Sequence, residues 1–260
     1  MVVARQLLVE AGRWPVATTE PRHPDAAQPR ASRRGSVKTD SQTVREANGE
    51  SNQRVGRYPP TLDLGPQLTD DQLASSIDCT MRRHKGGPVW LFAYGSLIWR
   101  PECTAVESQR ARVHGYHRGL YLWSHEHRGT PEVPGLVFGL DRGGSCTGFV
   151  YRLPDECLEK SLLALWEREM PYPSYRPHWL NCRLEDGRKV QALGFVLERH
   201  LPSYAGNLPD SVLSQVLASA RGRYGTTREY VEQTAKALRS HAMPDLNLEA
   251  RLKRCKSETA

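Results

Sequence analysis

The chain of 260 residues is poor in the features that would place it in a membrane, on nucleic acid or in an oxidising compartment. No run approaches the roughly 20 consecutive apolar residues of a transmembrane helix. Apolar residues make up 38% of the chain and mean hydropathy is −0.59, so part of it is expected to lie outside any packed core. The cysteines, Cys79, Cys103, Cys146, Cys157, Cys182 and Cys255, are widely spaced with no CxxC pair. That argues against a zinc knuckle or a small disulfide scaffold and fits free thiols in a reducing compartment. Net charge is +7, but no basic cluster with interleaved aromatics marks a nucleic-acid surface; the excess is read as arginine scattered over a tail and surface. The N-terminus lacks the charged head and apolar stretch of a secretory signal, and Glu10, Glu20 and Asp25 spoil a transit-peptide pattern. The expectation is a cytoplasmic protein with no nucleic-acid or membrane partner; nothing identifies a protein partner.

What is present is unevenly distributed. Residues 1–67 are short of aromatics and β-branched clusters and rich in Arg, Ser, Gln, Pro and Glu, a composition expected to stay disordered apart from a short helix over Met1 to Val9. A single domain over 68–260 is expected to follow. Thr69-Asp70-Asp71-Gln72 reads as a capping box, and Leu73, Ile77 and Met81 then fall on one helical stripe. Strands are expected at Val89–Ala93, Val106–Tyr116, Gly119–Ser124, Leu136–Leu140 and Cys146–Leu153, the last two joined by a tight turn at Arg142-Gly143-Gly144-Ser145. Ser124 to Pro134 reads as a loop able to reach over a site. A helix over 155–170 is stopped by Pro171 and Pro173. Strands at Trp179–Leu184 and Val190–Leu197 flank the turn Glu185-Asp186-Gly187-Arg188, and helices are expected at 210–221, 226–241 and 247–256. This order predicts an α+β fold around a small, curved, mostly antiparallel sheet or barrel with flanking helices.

Two features stand out from this frame. The apolar run Val89 to Ala93 stops at Tyr94-Gly95-Ser96. A strand that ends at a glycine leaves backbone N–H groups without ladder partners, and these can form an anion-binding concavity. In the helix 155–170, the stripe Leu158, Leu162, Leu165 continues not to another leucine but to Glu169, whereas Glu167 points the opposite way and reads as a solvated charge. A carboxylate on a buried face, at the negative end of the helix dipole, is expected to have a raised pKa suited to general acid–base work near neutral pH. The competing explanations are a salt bridge to Arg168 or Arg176, or fraying of the helix end.

FAYGSLIW followed some 70 residues later by LWEREM resembles the ChaC family of γ-glutamylcyclotransferases, in its glutathione-specific branch. The similarity runs from about Leu68 to Leu252 and includes VWLFAYGSLIWRP, HRGTPEVPGLVFGL, CTGFVYRLP, SYRPHWL and GTTREYV. The resemblance implies the cyclotransferase barrel and cleavage of glutathione into 5-oxoproline and cysteinylglycine without metal or cofactor. It matches Glu169 to the catalytic glutamate and Ala93, Tyr94, Gly95, Ser96, Leu97 and Ile98 to the substrate loop. A cyclotransferase for other γ-glutamyl amides or dipeptides, or a non-catalytic binding module of the same fold, stays open. Two departures bear on substrate preference: Ala93 stands where many members have Gly, and Pro171-Tyr172-Pro173-Ser174 replaces a Gly-containing turn.

Other chemistry-bearing residues fit blander roles. His125-Glu126-His127 has no metal-binding spacing and belongs to the cap loop, where Arg128 is placed near the glycyl carboxylate of the substrate without a spacing argument. Ser96 lacks the GxSxG elbow of a nucleophile. Tyr224 and Tyr230 read as core or rim aromatics, and Cys182 as a small buried hydrophobe.

Overall fold

The computed structural model describes residues 58–101 and 104–257. The expected disorder over 1–57, the helix at Met1 to Val9 and Cys103 lie outside the described residues. The first helix among the described residues, α1 (Asp70–Met81), begins where the capping box places it. Thr69 Oγ1 accepts from the Gln72 amide at 3.3 Å, and Gln72 Oε1 accepts from the Thr69 amide at 2.9 Å. Leu73 and Ile77 are buried as the stripe predicts, and Thr80 is buried beside them.

Five strands then close a barrel: β1 (Trp90–Ala93), β2 (Glu107–Ser124), β3 (Gly135–Arg152), β4 (Tyr175–Leu184) and β5 (Lys189–Leu197), in the order β1-β3-β2-β4-β5. All neighbours run antiparallel except β5, which closes the barrel in parallel against β1 and touches β3 in parallel at one position. β1 is buried on both faces. Trp90 and Phe92 join one apolar cluster with Val113, Val150, Leu180 and the later helical segment around Leu213; Leu91 and Ala93 join the other with α1 and Leu162, as the period of two requires.

The long hairpin differs from the expected arrangement. The segments 106–116 and 119–124 are one strand, and 136–140 and 146–153 are another; the two pair from Glu107↔Arg152 to Ser124↔Gly135. Arg142 to Ser145 therefore makes no reversal. His114 pairs with Ser145 and Tyr116 with Arg142, so Gly115 alone faces Gly143 and Gly144. Those two glycines, at φ +103° and +67°, absorb an extra residue and bend the strand around the barrel. The real reversal is the segment 125–134, the one expected as a loop over a site.

Helix α2 (Leu158–Glu169) follows a short 3₁₀ turn at Asp155–Cys157 and packs on α1, where Trp166 Nε1 donates to Ser76 Oγ at 3.0 Å. β4 begins at Tyr175, four residues ahead of the expected strand, and pairs in register with β5 up to Tyr175↔Leu197. The remaining elements are α3 (Asp210–Ser219), the two-residue pair β6 (Arg221–Gly222) and β7 (Gly225–Thr226), α4 (Thr227–Ser240) and α5 (Leu246–Ser257). A second capping box, Thr226 with Glu229, starts α4.

Residues 58–68, mostly assigned to the unpacked extension by composition, are anchored on this domain without regular secondary structure. Tyr58 stacks on Trp123 with centroids 6.2 Å apart and donates to Pro134 O at 2.9 Å; Leu68 N donates to Pro171 O at 2.9 Å. The anchoring comes from a few individual side chains, which average composition does not register.

Candidate active site

Each end of the site is set by the end of an element. β1 stops at Ala93, and the chain turns through Tyr94 and Gly95 into a single 3₁₀ turn, Ser96–Ile98. The leading amides of such a turn have no intrahelical acceptor. On the other side, α2 ends at Glu169. At 100° per residue this side chain lies about 20° from Leu162 and between Leu165 and Trp166, the buried residues of the helix. Its own side chain retains 16% exposure, because it faces a cavity rather than core.

That cavity, about 470 Å³, brings the two ends together. Its walls include Tyr94, Gly95, Ser96 and Leu97 from the turn, Glu169 and Arg168 from α2, Phe138 from β3, Tyr175 from β4 and Tyr230 from α4. Of the six substrate-loop residues named from sequence, four line it. Ala93 and Ile98 do not; both are buried in the apolar cluster shared with α1 and α2. Glu167 is exposed, as expected.

Arg168 ties the parts. Its Nε lies 3.0 Å from Glu169 Oε1, Nη2 donates to Ser96 Oγ at 2.9 Å, and Nη1 donates to Arg100 O at 2.7 Å. The ion pair that competes with a catalytic role for Glu169 in the sequence is thus present, and it fixes the carboxylate against the turn. Arg176 pairs with Glu198 instead.

Three tyrosines surround the carboxylate. Tyr94 donates to Phe195 O at 2.8 Å, and Tyr175 donates to Phe138 O at 3.1 Å. Tyr230 accepts from the Phe138 amide at 3.1 Å, which leaves its own proton to donate. Burial pushes all three phenols up, Tyr230 to about 12, and the Glu169 charge adds to the rise in each. All three are therefore neutral donors near pH 7 around an acidic group. Gly95 makes room for this arrangement: a β-carbon there would lie 3.3 Å from Tyr230 Oη and 3.5 Å from Phe138 Cβ. The arrangement can bind a carboxylate at the turn, polarise a carbonyl and move a proton through Glu169.

Sequence reasoning named the Arg168–Glu169 ion pair but missed its link to Ser96, and missed that Tyr175 and Tyr230 line the cavity. Tyr230, expected as a core or rim aromatic, is 5% exposed yet lines the cavity. Tyr224 stands at the rim, 46% exposed. Cys182 is buried in β4 with its thiol pushed up to about 12 by burial. His125 packs edge-on against Tyr172 and His127 is tilted against Tyr224. Among the described residues no cluster of His, Cys, Asp and Glu is arranged to hold a metal ion.

A family profile described as ChaC-like protein matches residues 89–258. The chain is 38% identical over 176 residues to the glutathione-specific γ-glutamylcyclotransferase of Escherichia coli K12, covering 67% of this chain and 76% of that one. It is 31% identical over 159 residues to human glutathione-specific γ-glutamylcyclotransferase 1, covering 59% of this chain and 72% of the human protein. Among solved structures, the yeast γ-glutamylcyclotransferase specific to glutathione superposes with a TM-score of 0.60 at 22% identity, covering 66% of this chain and 97% of that one. That likeness establishes the cyclotransferase fold.

Proposed function

Because this chain belongs to the ChaC-like family, we propose that it cleaves glutathione by internal cyclisation, releasing 5-oxoproline and cysteinylglycine. The observation that carries the reading is Glu169 held by Arg168 against Ser96 of the turn, in a cavity lined by neutral tyrosines. The α-carboxylate of the γ-glutamyl group sits at Tyr94-Gly95-Ser96, on the leading amides and the Ser96 hydroxyl. Glu169, as carboxylate, takes a proton from the α-ammonium. The freed amine attacks the γ-carbonyl of the same residue, closing a five-membered ring; protonated Glu169 gives its proton to the cysteinyl nitrogen as the amide C–N bond breaks, and the ring nitrogen gives up its second proton, through the same carboxylate, to the departing amine, which leaves as an ammonium. The nucleophile is already tethered, so the site needs to hold one conformer and relay protons from the attacking to the leaving nitrogen. No water, metal or cofactor enters the balance.

Cytosol is the matching compartment. Among the described residues no helix is long and apolar enough to cross a membrane, and Cys79, Cys146, Cys157, Cys182 and Cys255 are free thiols.

The test is 5-oxoproline release from glutathione and from γ-glutamyl-alanine by wild type and Glu169→Gln. Release from glutathione, preferred over the dipeptide and reduced at least about a thousandfold in the variant, is expected, since relay and ground-state positioning both pass through the one carboxylate. Preference for the dipeptide would sink the glutathione assignment. A variant as active as wild type would remove Glu169 from the mechanism.

A further inference from the structure

A second charged feature of the cavity plays no part in the proton relay. Arg100, Arg128 and Arg223 converge on Tyr224, although they come from the end of the turn region, the β2–β3 connection and the β6–β7 connection. Arg100 Cζ lies 5.4 Å and Arg223 Cζ 4.7 Å from the Tyr224 ring centroid, and Arg128 Nη1 donates to Tyr224 O at 2.6 Å. Arg128 is 8% exposed and stacks over the Tyr230 ring at 5.1 Å. Among the described residues, Glu126 and Glu229 bear on the group. Glu126 Oε1 is 2.8 Å from Arg223 Nη1, and Glu229 acts on Arg128 from the first turn of α4. Burial holds the Arg128 guanidinium below its ordinary range; Tyr230 and Glu229 oppose that shift, and the Arg100 charge reinforces it. His127 beside Tyr224 is held below its ordinary 6.5 by burial, and Arg223, Arg168 and Arg128 reinforce the shift while Glu126 opposes it. The histidine is therefore neutral at pH 7. The Arg100 charge disfavours the charged form of Arg128, and an anion bound by these guanidiniums would offset that repulsion.

We propose that Arg100, Arg128 and Arg223 around Tyr224 form a subsite for a second carboxylate, the one at the far end of a γ-glutamyl peptide. This rests on the reaction proposed above and names which substrates that reaction favours. The spacing supports it. Tyr230 spans the gap, with its hydroxyl 3.3 Å from a β-carbon built on Gly95 at the turn and its ring face under Arg128. In glutathione the glutamyl side chain and two further residues, about 10 Å of extended chain, separate the α-carboxylate held at the turn from the glycyl carboxylate. One tyrosine side chain plus a stacking distance is a gap of the same order. Arg and Tyr also suit this role, since the planar guanidinium donates two parallel N–H bonds to a carboxylate and the tyrosine face holds the guanidinium in plane.

The experiment compares glutathione with its glycyl ethyl ester, which keeps the γ-glutamyl end and loses only the distal charge. 5-Oxoproline release is measured for wild type, Arg100→Gln and Arg223→Gln in the full chain; both arginines are exposed, so the fold tolerates their replacement. Wild type is expected to favour glutathione over the ester by about tenfold or more in kcat/KM. Each variant is expected to narrow that ratio by raising KM for glutathione while leaving KM for the ester nearly unchanged. Equal kcat/KM for the two substrates in wild type overturns the subsite and leaves the reaction standing. Equal losses on both substrates in the variants also overturn it, because they indicate a structural effect. No 5-oxoproline from either substrate overturns the reaction itself and the subsite with it.

Discussion

Adding one carbon to Gly95 shows how narrow the tolerances of the site are. The carbon would meet Tyr230 Oη at 3.3 Å, and that oxygen cannot retreat freely because the Phe138 amide holds it at 3.1 Å. Gly95→Ala is expected to lower kcat/KM for glutathione about tenfold and to cost about 1 kcal/mol of stability, the low end for overpacking. Unchanged kinetics would remove the turn from substrate binding. Glu169 itself was legible from helical spacing, since the angle of a side chain around a helix depends only on its place in the chain. Its ion pair with Arg168 was legible too, but the second contact of that arginine, to Ser96, was not. Arg168 is its immediate neighbour, and adjacent residues on a helix point about 100° apart; only the arginine's long side chain, folded back to reach Oε1 and Ser96 Oγ together, makes the bridge.

Among the elements, α1 is where its capping box and stripe place it and α2 where its leucine stripe places it, because capping and periodicity act within a few residues. The β2–β3 hairpin departs from expectation because Arg142-Gly143-Gly144-Ser145 has the composition of a turn whether the strand reverses or merely bends. Which of the two occurs depends on β2, whose Gly115 lies opposite. Next to that bend, Asp141 is 3% exposed and accepts from Arg199 Nε at 2.9 Å, Tyr204 Oη at 2.8 Å and the Arg142 amide at 2.8 Å. Burial alone would raise its pKa, but these donors outweigh it and hold the carboxyl below its ordinary 3.8. A depressed folded pKa contributes stability that is present above the unfolded value and lost as pH falls through the folded one. Asp141→Asn is therefore expected to lower stability at pH 7 by about 2 kcal/mol, the scale of hydrogen bonds to a charged group. It is also expected to flatten the loss of stability between about pH 5 and pH 2 seen in wild type. Denaturant melts across that range check both; parallel curves for the two proteins would show that Asp141 carries no such linkage.

At the scale of the molecule, the cavity is assembled from the ends of β1, α2 and β4, the β2–β3 connection, the β6–β7 connection and α4, with Leu64 of the strap 58–68 as a further wall. The strap is pinned at one end by Tyr58 on Trp123 and Pro134, and at the other by Gln67 on Tyr172, whose Oη accepts from Nε2 at 3.2 Å. Tyr58→Ala in the full chain is expected to free the first pin and raise KM for glutathione several-fold with kcat held, since the strap contributes wall and not chemistry. A fall in kcat with KM unchanged would contradict that division of labour. By itself the sequence determined the helices, the capping box of the first of those described, the strand-ending turn and the misplaced carboxylate, together with the family resemblance they carry. Each of these is written in spacings of a few residues, where backbone geometry alone decides what faces where. The tertiary structure decided which of those pieces meet. It brought Tyr175 and Tyr230 around Glu169, gathered three arginines from distant segments on one tyrosine, and turned Ala93 and Ile98 into core. Such placements follow from closing a five-stranded barrel, and that closure depends on pairings tens of residues apart that no local pattern encodes.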